Sequence, residues 1–319
     1  MFWLIPVITS VILVVWLFGV RLLSVLDSSN KIIFNGRKRK NVNNSDDCSD
    51  ARLEENKSIP STRHCIAITI DDVPWKYSLP KILRRRERQQ HTMISSTTQN
   101  HDLFISSISE ICKILKQHNA CATLMMIGNY SIRNLQKNTQ LVEKFVEWLD
   151  DGVIELANHG MTNSKHASLS KTNLLMEIAN CEKAVNDILL APLNERRKLK
   201  RQAPLTSVMT KYYRPGHGFF TQEMVQACQE LNYDIVLGNI YSFDPQVPLW
   251  WLNFINIALV GYVYDLVKLL SFGFLCSNDH HQIVILHDRP WTAQLLNYLL
   301  PFLQWRRYSV LKLSHMMGE

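Results

Sequence analysis

Short apolar runs that alternate with helical patterns constrain the fold of this chain more than any other feature of its sequence. The runs are rich in β-branched residues, which is typical of strands buried on both faces. They fall at residues 64–70, 121–127, 153–157, near 211, 234–238, 282–286 and 309–313. Apolar residues at helical spacing predict helices at 101–117, 138–150, 171–190, 221–231 and 292–304. This alternation predicts an α/β fold with a parallel sheet, either open or closed as a barrel.

The beginning of the chain differs in composition from this alternating part. Phe2 to Val20 is an uncharged apolar run of 19 residues, which at about 1.5 Å per residue nearly spans a hydrocarbon core of about 30 Å. It lacks the basic start and small-residue cleavage site of a signal peptide. We therefore expect a transmembrane anchor within residues 1–27, a single-pass membrane location, a flexible polar stalk at 28–60 and one domain at 61–319.

The side of the membrane on which the domain lies stays open. Basic residues follow the apolar run, among them the cluster at 37–40, and the positive-inside rule then favours a cytosolic domain. Glycosylation sequons at Asn43, Asn56 and Asn129 favour the lumenal side instead.

Composition argues against two classes of protein. The seven cysteines include no Cys-x-x-Cys spacing, so a zinc-finger framework is not expected. The formal net charge is +7, but no element interleaves aromatic and basic residues as nucleic-acid binders do. We therefore expect no nucleic-acid partner, and the sequence does not fix the oligomeric state.

Polar side chains recur where the predicted strands end. In a parallel α/β fold these carboxyl ends meet at one edge, where function is usually found. Each residue taken singly also fits a turn, a helix cap or an ion pair. Together they provide the oxygen and nitrogen ligands, the base and the acid that metal-assisted hydrolysis needs. The residues are Asp71, Asp72, His159, Arg214, Asp244 and His287.

Five motifs in this order resemble those of the polysaccharide deacetylases with a NodB-homology domain, carbohydrate esterase family four. They are TIDDVP (69–74), ATLMMIGN (122–129), ELANHGMTNSKHASLS (155–170), YRPGHG (213–218) and IVILHD (283–288). The resemblance implies a distorted (β/α) barrel of about seven strands. It also implies a hydrolase that removes acetyl groups from an acetylated glycan. A divalent metal, foremost zinc, with cobalt, nickel or manganese as alternatives, would polarise the acetyl carbonyl.

The same resemblance assigns a role to each matched residue. Asp71 would be the general base, and Arg214 would keep it in place and ionised. His287 would be the general acid, kept protonated by Asp244. Asp72 and His159 would bind the metal, and a backbone N–H near His217 would serve the oxyanion.

The third metal ligand is where the sequence departs from the family pattern. The second metal-binding His of the family lies four residues after the first, and here that position is Asn163. Alignment without an insertion favours Asn163, whereas ligand chemistry favours His166. Gly216-His217 also replaces the usual Pro-Tyr, and Val73 replaces a Gly. These changes leave open an alternative function, that of an inactive, membrane-tethered glycan-binding protein with the same fold.

Two further segments carry expectations. Residues 249–275 are very apolar but contain internal charge, which favours a buried or interfacial helix over a second membrane span. The basic run at 196–198 is expected to lie in an exposed loop.

Overall fold

The computed structural model describes residues 32–33, 64–75, 106–270 and 281–318. Their strands form one sheet of nine strands, and every recorded pairing in it is parallel. The strands are β1 Ile32–Ile33, β2 Cys65–Val73, β3 Ala122–Met126, β4 Ile154–Asn158, β5 Met209–Tyr213, β6 Asp234–Val236, β7 Ile240–Tyr241, β8 His281–His287 and β9 Ser309–Leu311. The helices are α1 Ile108–Gln117, α2 Gly128–Asn134, α3 Thr139–Asp150, α4 Lys171–Leu199, α5 Gln222–Glu230, α6 Trp250–Leu270, α7 Thr292–Trp305 and α8 Leu313–Met317.

The strands lie side by side in the order β1-β6-β5-β4-β3-β2-β8-β7, and β9 pairs with the start of β2. This curled parallel sheet with its surrounding helices is consistent with a distorted (β/α) barrel. The predicted parallel α/β fold is therefore confirmed. Strand β7 and helix α2 were not predicted, because each is too short to show a periodic pattern.

The two faces of β2 bury different kinds of side chain. Ile66, Ile68 and Ile70 belong to the large core that lies between the sheet and the helices. Cys65 and Ala67 belong to a smaller cluster on the opposite face, together with residues of β3, β4, β5 and β8. Because strand side chains alternate, the small residues line the inside of the curled sheet. The inner face thus has room for large polar side chains near the carboxyl ends of the strands.

Helix α4 is longer than the sequence pattern predicts. It continues through Pro192 to Leu199, and the buried side chains of Leu189 and Leu193 extend its apolar stripe past the proline. The expectation of a loop at 196–198 is therefore wrong. Arg196 lies on this helix and binds Asp150 of α3, so the helix end is fixed by an ion pair as well as by packing.

The predicted transmembrane anchor lies outside the described residues. The same is true of the predicted stalk apart from β1, which pairs with β6. Among the residues that the structure describes, no helix is both long and apolar enough to cross a membrane. Residues 250–270 form α6, and its first turns pack against α7, where the rings of Trp250 and Tyr298 stack with centroids 4.4 Å apart.

Truncation of one leucine on α4 tests the core. We expect Leu189→Ala to lower the free energy of unfolding by about 2–5 kcal/mol, because it leaves a cavity among fully buried neighbours. Leu199→Ala is the matched control on the same helix, since that side chain is 86% exposed, and it should change stability by less than about 0.5 kcal/mol. Urea denaturation measures both. Equal losses in the two variants would contradict the packing described for α4.

Candidate active site

Two adjacent carboxylates at the end of β2 reach the same point in space. In a regular strand their side chains would point to opposite faces. Asp72 has a φ of 63°, in the left-handed region that few non-glycine residues adopt, and the pairing of β2 with β3 shifts just here. As a result Asp71 Oδ2 and Asp72 Oδ1 lie 4.0 and 3.7 Å from one nitrogen, Nε2 of His159.

His159, which follows β4, is oriented by the backbone. Its Nδ1 lies 2.8 Å from the carbonyl oxygen of Arg214. A carbonyl oxygen only accepts, so the Nδ1–H donates and Nε2 of the neutral ring keeps its lone pair. That lone pair faces Asp71 and Asp72, which is the orientation of a histidine that ligates metal.

Arg214 neutralises Asp71 inside the protein. Its Nη1 donates to Asp71 Oδ1 at 2.6 Å and to Thr69 Oγ1 at 2.7 Å, and both charged side chains are buried. Burial alone would raise the pKa of Asp71. Arg214, through its charge and its hydrogen bond, is the largest opposing cause, and the pKa of Asp71 stays below its ordinary value. Asp71 is therefore a carboxylate, the form that a general base requires.

His287 lies directly opposite Asp71 in the β2–β8 pairing and has its own carboxylate partner. Its Nδ1 lies 2.8 Å from Asp244 Oδ1, and its backbone N–H donates to Asp244 Oδ2 at 2.7 Å. Burial alone would lower the pKa of His287. The Asp244 carboxylate, followed by Asp71 and Asp72, outweighs burial and raises it above the ordinary value. The raised pKa favours the imidazolium form of His287, which is the form that a general acid requires.

The two candidates for a third metal ligand lie in different surroundings. Asn163 is exposed, and its Nδ2 lies 3.5 Å from the hydroxyl of Tyr130. His166 is fully buried. Its Nδ1 accepts from the backbone N–H of Gly216 at 2.9 Å, and its Nε2 lies 3.1 Å from the carbonyl oxygen of Thr162. Both ring nitrogens of His166 are therefore occupied by hydrogen bonds.

Two glycines make room for the His166 ring. A Cβ atom at Gly160, whose φ is 84°, would lie 2.3 Å from Cε1 of His166. A Cβ at Gly216 would lie 2.2 Å from the backbone oxygen of Ser164, which belongs to the loop that carries His166. His166 therefore connects the loop after β4 to the loop after β5, and it would have to give up these hydrogen bonds to bind a metal ion. The assignment of Asn163 or His166 to a metal stays a prediction, and this geometry does not support it.

Arg289 is a site residue that sequence reasoning missed. Its Nη2 lies 2.6 Å from Asp72 Oδ2, and its guanidinium stacks on Trp75, with Cζ 3.9 Å from the ring centroid. The available sequence signal was its position, because it directly follows His287 and Asp288 at the end of the last long strand. It was overlooked because the resemblance assigns no role to that position.

The residues at this edge do not fit a divalent ion held by three protein ligands. Asp72 and His159 are suitable in type and orientation. The other oxygen of Asp72 is already bound by the Arg289 cation. Asn163 offers an amide oxygen in place of an imidazole, and both ring nitrogens of His166 are occupied by other partners. Within residues 64–75, 106–262 and 282–318, no group of three or more His, Cys, Asp or Glu side chains is arranged to hold a metal ion.

The chain belongs to the polysaccharide deacetylase family, whose sequence model matches residues 58–236. Its members are hydrolases that act on acetyl amide or ester bonds. No curated protein sequence matches the chain.

Solved structures share this fold at low identity. A family-four pseudoenzyme from Bacillus anthracis has a TM-score of 0.52 at 15% identity, over 81% of this chain and 67% of its own. A peptidoglycan N-acetylglucosamine deacetylase has a TM-score of 0.52 at 16% identity, over 81% and 89%. A peptidoglycan deacetylase from Bacillus subtilis has a TM-score of 0.50 at 14% identity, over 81% and 92%. At such identities the likeness shows the fold alone.

Removal of the Asp244 charge tests the electrostatics of the site. We expect Asp244→Asn to lower the pKa of His287, because burial then acts on the imidazolium without its nearest compensating carboxylate. A titration of the His287 ring resonances by NMR measures the change. Asp187→Asn, at an exposed ion pair on α4, is the control and should leave that pKa unchanged. A His287 pKa that stays the same in Asp244→Asn would contradict the assignment of Asp244.

Proposed function

We propose that the chain is a hydrolase that removes acetyl groups from an acetylated glycan. The observation that carries this proposal is the presence of two buried ion pairs side by side. One contains Asp71 of β2, the other contains His287 of β8, and these two residues are opposite each other in the sheet. In one couple Asp71 is held as a carboxylate by Arg214. In the other His287 is held as an imidazolium by Asp244. A base and an acid with oppositely shifted pKa values, side by side, are what acetyl transfer to water requires.

In the proposed reaction Asp71 takes a proton from water. Its Oδ1 is bound to Arg214, so Oδ2 is the oxygen that accepts. The water oxygen bonds to the acetyl carbon, and the carbonyl electrons move to the acetyl oxygen. These electrons return to re-form the C=O bond as the C–N or C–O bond breaks. The leaving amine or alcohol takes a proton from Nε2 of His287, since Nδ1 is bound to Asp244. The products are acetate and the deacetylated sugar.

Two parts of the family scheme remain proposals. The predicted oxyanion donor near His217 lies on an exposed turn where that residue has a φ of 64°. The predicted zinc ion finds two suitable ligands, Asp72 and His159. No step of the reaction above is assigned to a metal.

A second function has one specific observation in its favour. The lack of a placed third ligand favours a catalytically inactive glycan-binding protein that keeps the fold. The buried Asp71–Arg214 and Asp244–His287 couples argue against it, since sugar binding alone does not require a base and an acid in their working protonation states. We therefore place the hydrolase first.

Acetate release from chitin oligomers, peptidoglycan fragments and acetylated xylan decides between the two functions. We expect the full-length chain to release acetate, and Asp71→Asn to slow this by about 10²–10⁴-fold, the usual contribution of a general base. Asp187→Asn is the control for the loss of a carboxylate elsewhere. If the folded chain binds one of these glycans and releases no acetate, the binding function replaces the hydrolase.

Attachment to a membrane is part of the proposal. It is supported by the uncharged apolar run from Phe2 to Val20. We expect the full-length chain to stay with the membrane pellet after an alkaline carbonate wash, and a chain with Ile12→Arg and Val15→Arg to be released, because charge at the centre of a span is costly. Release of the unaltered chain by the wash would contradict the anchor.

A further inference from the structure

The ion pair between Asp72 and Arg289 lies where the family resemblance places a divalent metal. The distance from Arg289 Nη2 to Asp72 Oδ2 is 2.6 Å. Asp72 is 4% exposed and Arg289 is 9% exposed, so water screens this pair only weakly. At such burial a guanidinium and a carboxylate form a strong, directional contact.

The guanidinium of Arg289 is held in this place by contacts on several sides. One face stacks on Trp75, a cation–π contact. Its Nη1 donates to the carbonyl oxygen of Asp288 at 3.0 Å. The Asp288 carboxylate in turn accepts from the backbone N–H groups of Trp75 at 2.9 Å and of Ser107 at 3.1 Å. Trp75 and Arg289 are therefore positioned through one buried residue.

Three carboxylates around this point each have a cation as their partner. Asp71 is paired with Arg214 and Asp72 with Arg289. His287, as an imidazolium, is paired with Asp244. A fourth carboxylate, Asp288, is satisfied by backbone N–H groups and by the hydroxyls of Ser106 and Ser107. A divalent ion would add two positive charges beside the buried Arg289 guanidinium, and repulsion from Arg289 would be strong there.

The ligands offer no compensation for that repulsion. A metal would find His159 Nε2 and one free oxygen of Asp72. The other oxygen that faces Nε2, Asp71 Oδ2, is the proton acceptor of the proposed reaction. Asn163 is exposed, and His166 would have to give up the hydrogen bonds that join two loops. Imidazole binds zinc better than an amide oxygen does. Because Asn163 stands where the family has a metal-binding His, the affinity of this position for zinc is lower here.

We propose that Arg289 is the resident cation of this site, and that the chain holds no divalent metal at Asp72 and His159. Arg289 fixes Asp72 through its charge, and Asn163 leaves the third ligand position without an imidazole. The inference rests on the proposed function for the location of the site alone. It specifies how that site differs from the metal-dependent members of its family, and it does not depend on turnover.

Metal titration of the chelator-treated, full-length chain tests the inference without a substrate. Isothermal calorimetry with Zn²⁺, and the visible spectrum with Co²⁺, report binding at the site. We expect no binding tighter than about 100 μM that is lost in Asp72→Asn or His159→Gln. Zn²⁺ binding below that value that disappears in either variant would overturn the inference, and this measurement does not require any Arg289 variant to fold.

A double variant tests the cause. We expect Arg289→Met with Asn163→His to bind Zn²⁺ at least about 100-fold more tightly than the unaltered chain, because it removes the resident cation and adds the missing imidazole. The matched control combines Asn163→His with Arg307→Met, an exposed arginine next to β9 at the opposite edge of the sheet, and should bind no better than Asn163→His alone. If the folded Arg289 double variant binds no more tightly than this control, Arg289 is not what excludes the ion.

Measurements of metal binding and of acetate release together distinguish failure of this inference from failure of the proposed function. Acetate release that persists after chelation supports both proposals. A chain that binds no metal and releases no acetate keeps the inference and removes the hydrolase. A chain whose acetate release requires Zn²⁺ bound at Asp72 removes the inference and keeps the hydrolase.

Discussion

The buried ion pair between Arg214 and Asp71 is the interaction on which the rest of the site depends. It joins the ends of β5 and β2, which are separated in the sheet by β3 and β4. The distance from Arg214 Nη1 to Asp71 Oδ1 is 2.6 Å, and Ala67 and Ala157 are small residues of the cluster on the inner face of the sheet. Burying either charge alone would be costly, so fold and site are energetically coupled.

The same logic of paired charges extends along the carboxyl edge of the sheet. His287 is opposite Asp71 in the strand pairing, and the Asp244 carboxylate raises its pKa. Each group is perturbed by a partner on a different element, so the pKa values of Asp71 and His287 shift in opposite directions at neighbouring positions. The Asp72–Arg289 pair follows this pattern, which is why the site resembles a metallohydrolase in outline and differs from one in its charges.

Much of the fold was predictable because the strands are buried on both faces and the helices are amphipathic, and both patterns are local in sequence. The predicted strand at 282–286 and helix at 292–304 differ from β8 and α7 by one or two residues at an end. Where the prediction failed, tertiary packing overruled a local pattern. Helix α4 passes Pro192 because Leu193 remains buried, and α2 and β7 are too short to produce a period.

For the site, the sequence by itself determined which residues meet, because Asp71, His159, Arg214 and His287 each end a parallel strand and such ends share one edge. Tertiary structure alone decided which further residues and contacts complete the site. The left-handed turn at Asp72, the buried position of His166 between two glycines and the approach of Arg289 to Asp72 arise from side-chain contacts between residues distant in sequence. No pattern along the chain encodes such contacts, so the identity of the cation beside Asp72 became visible only in three dimensions.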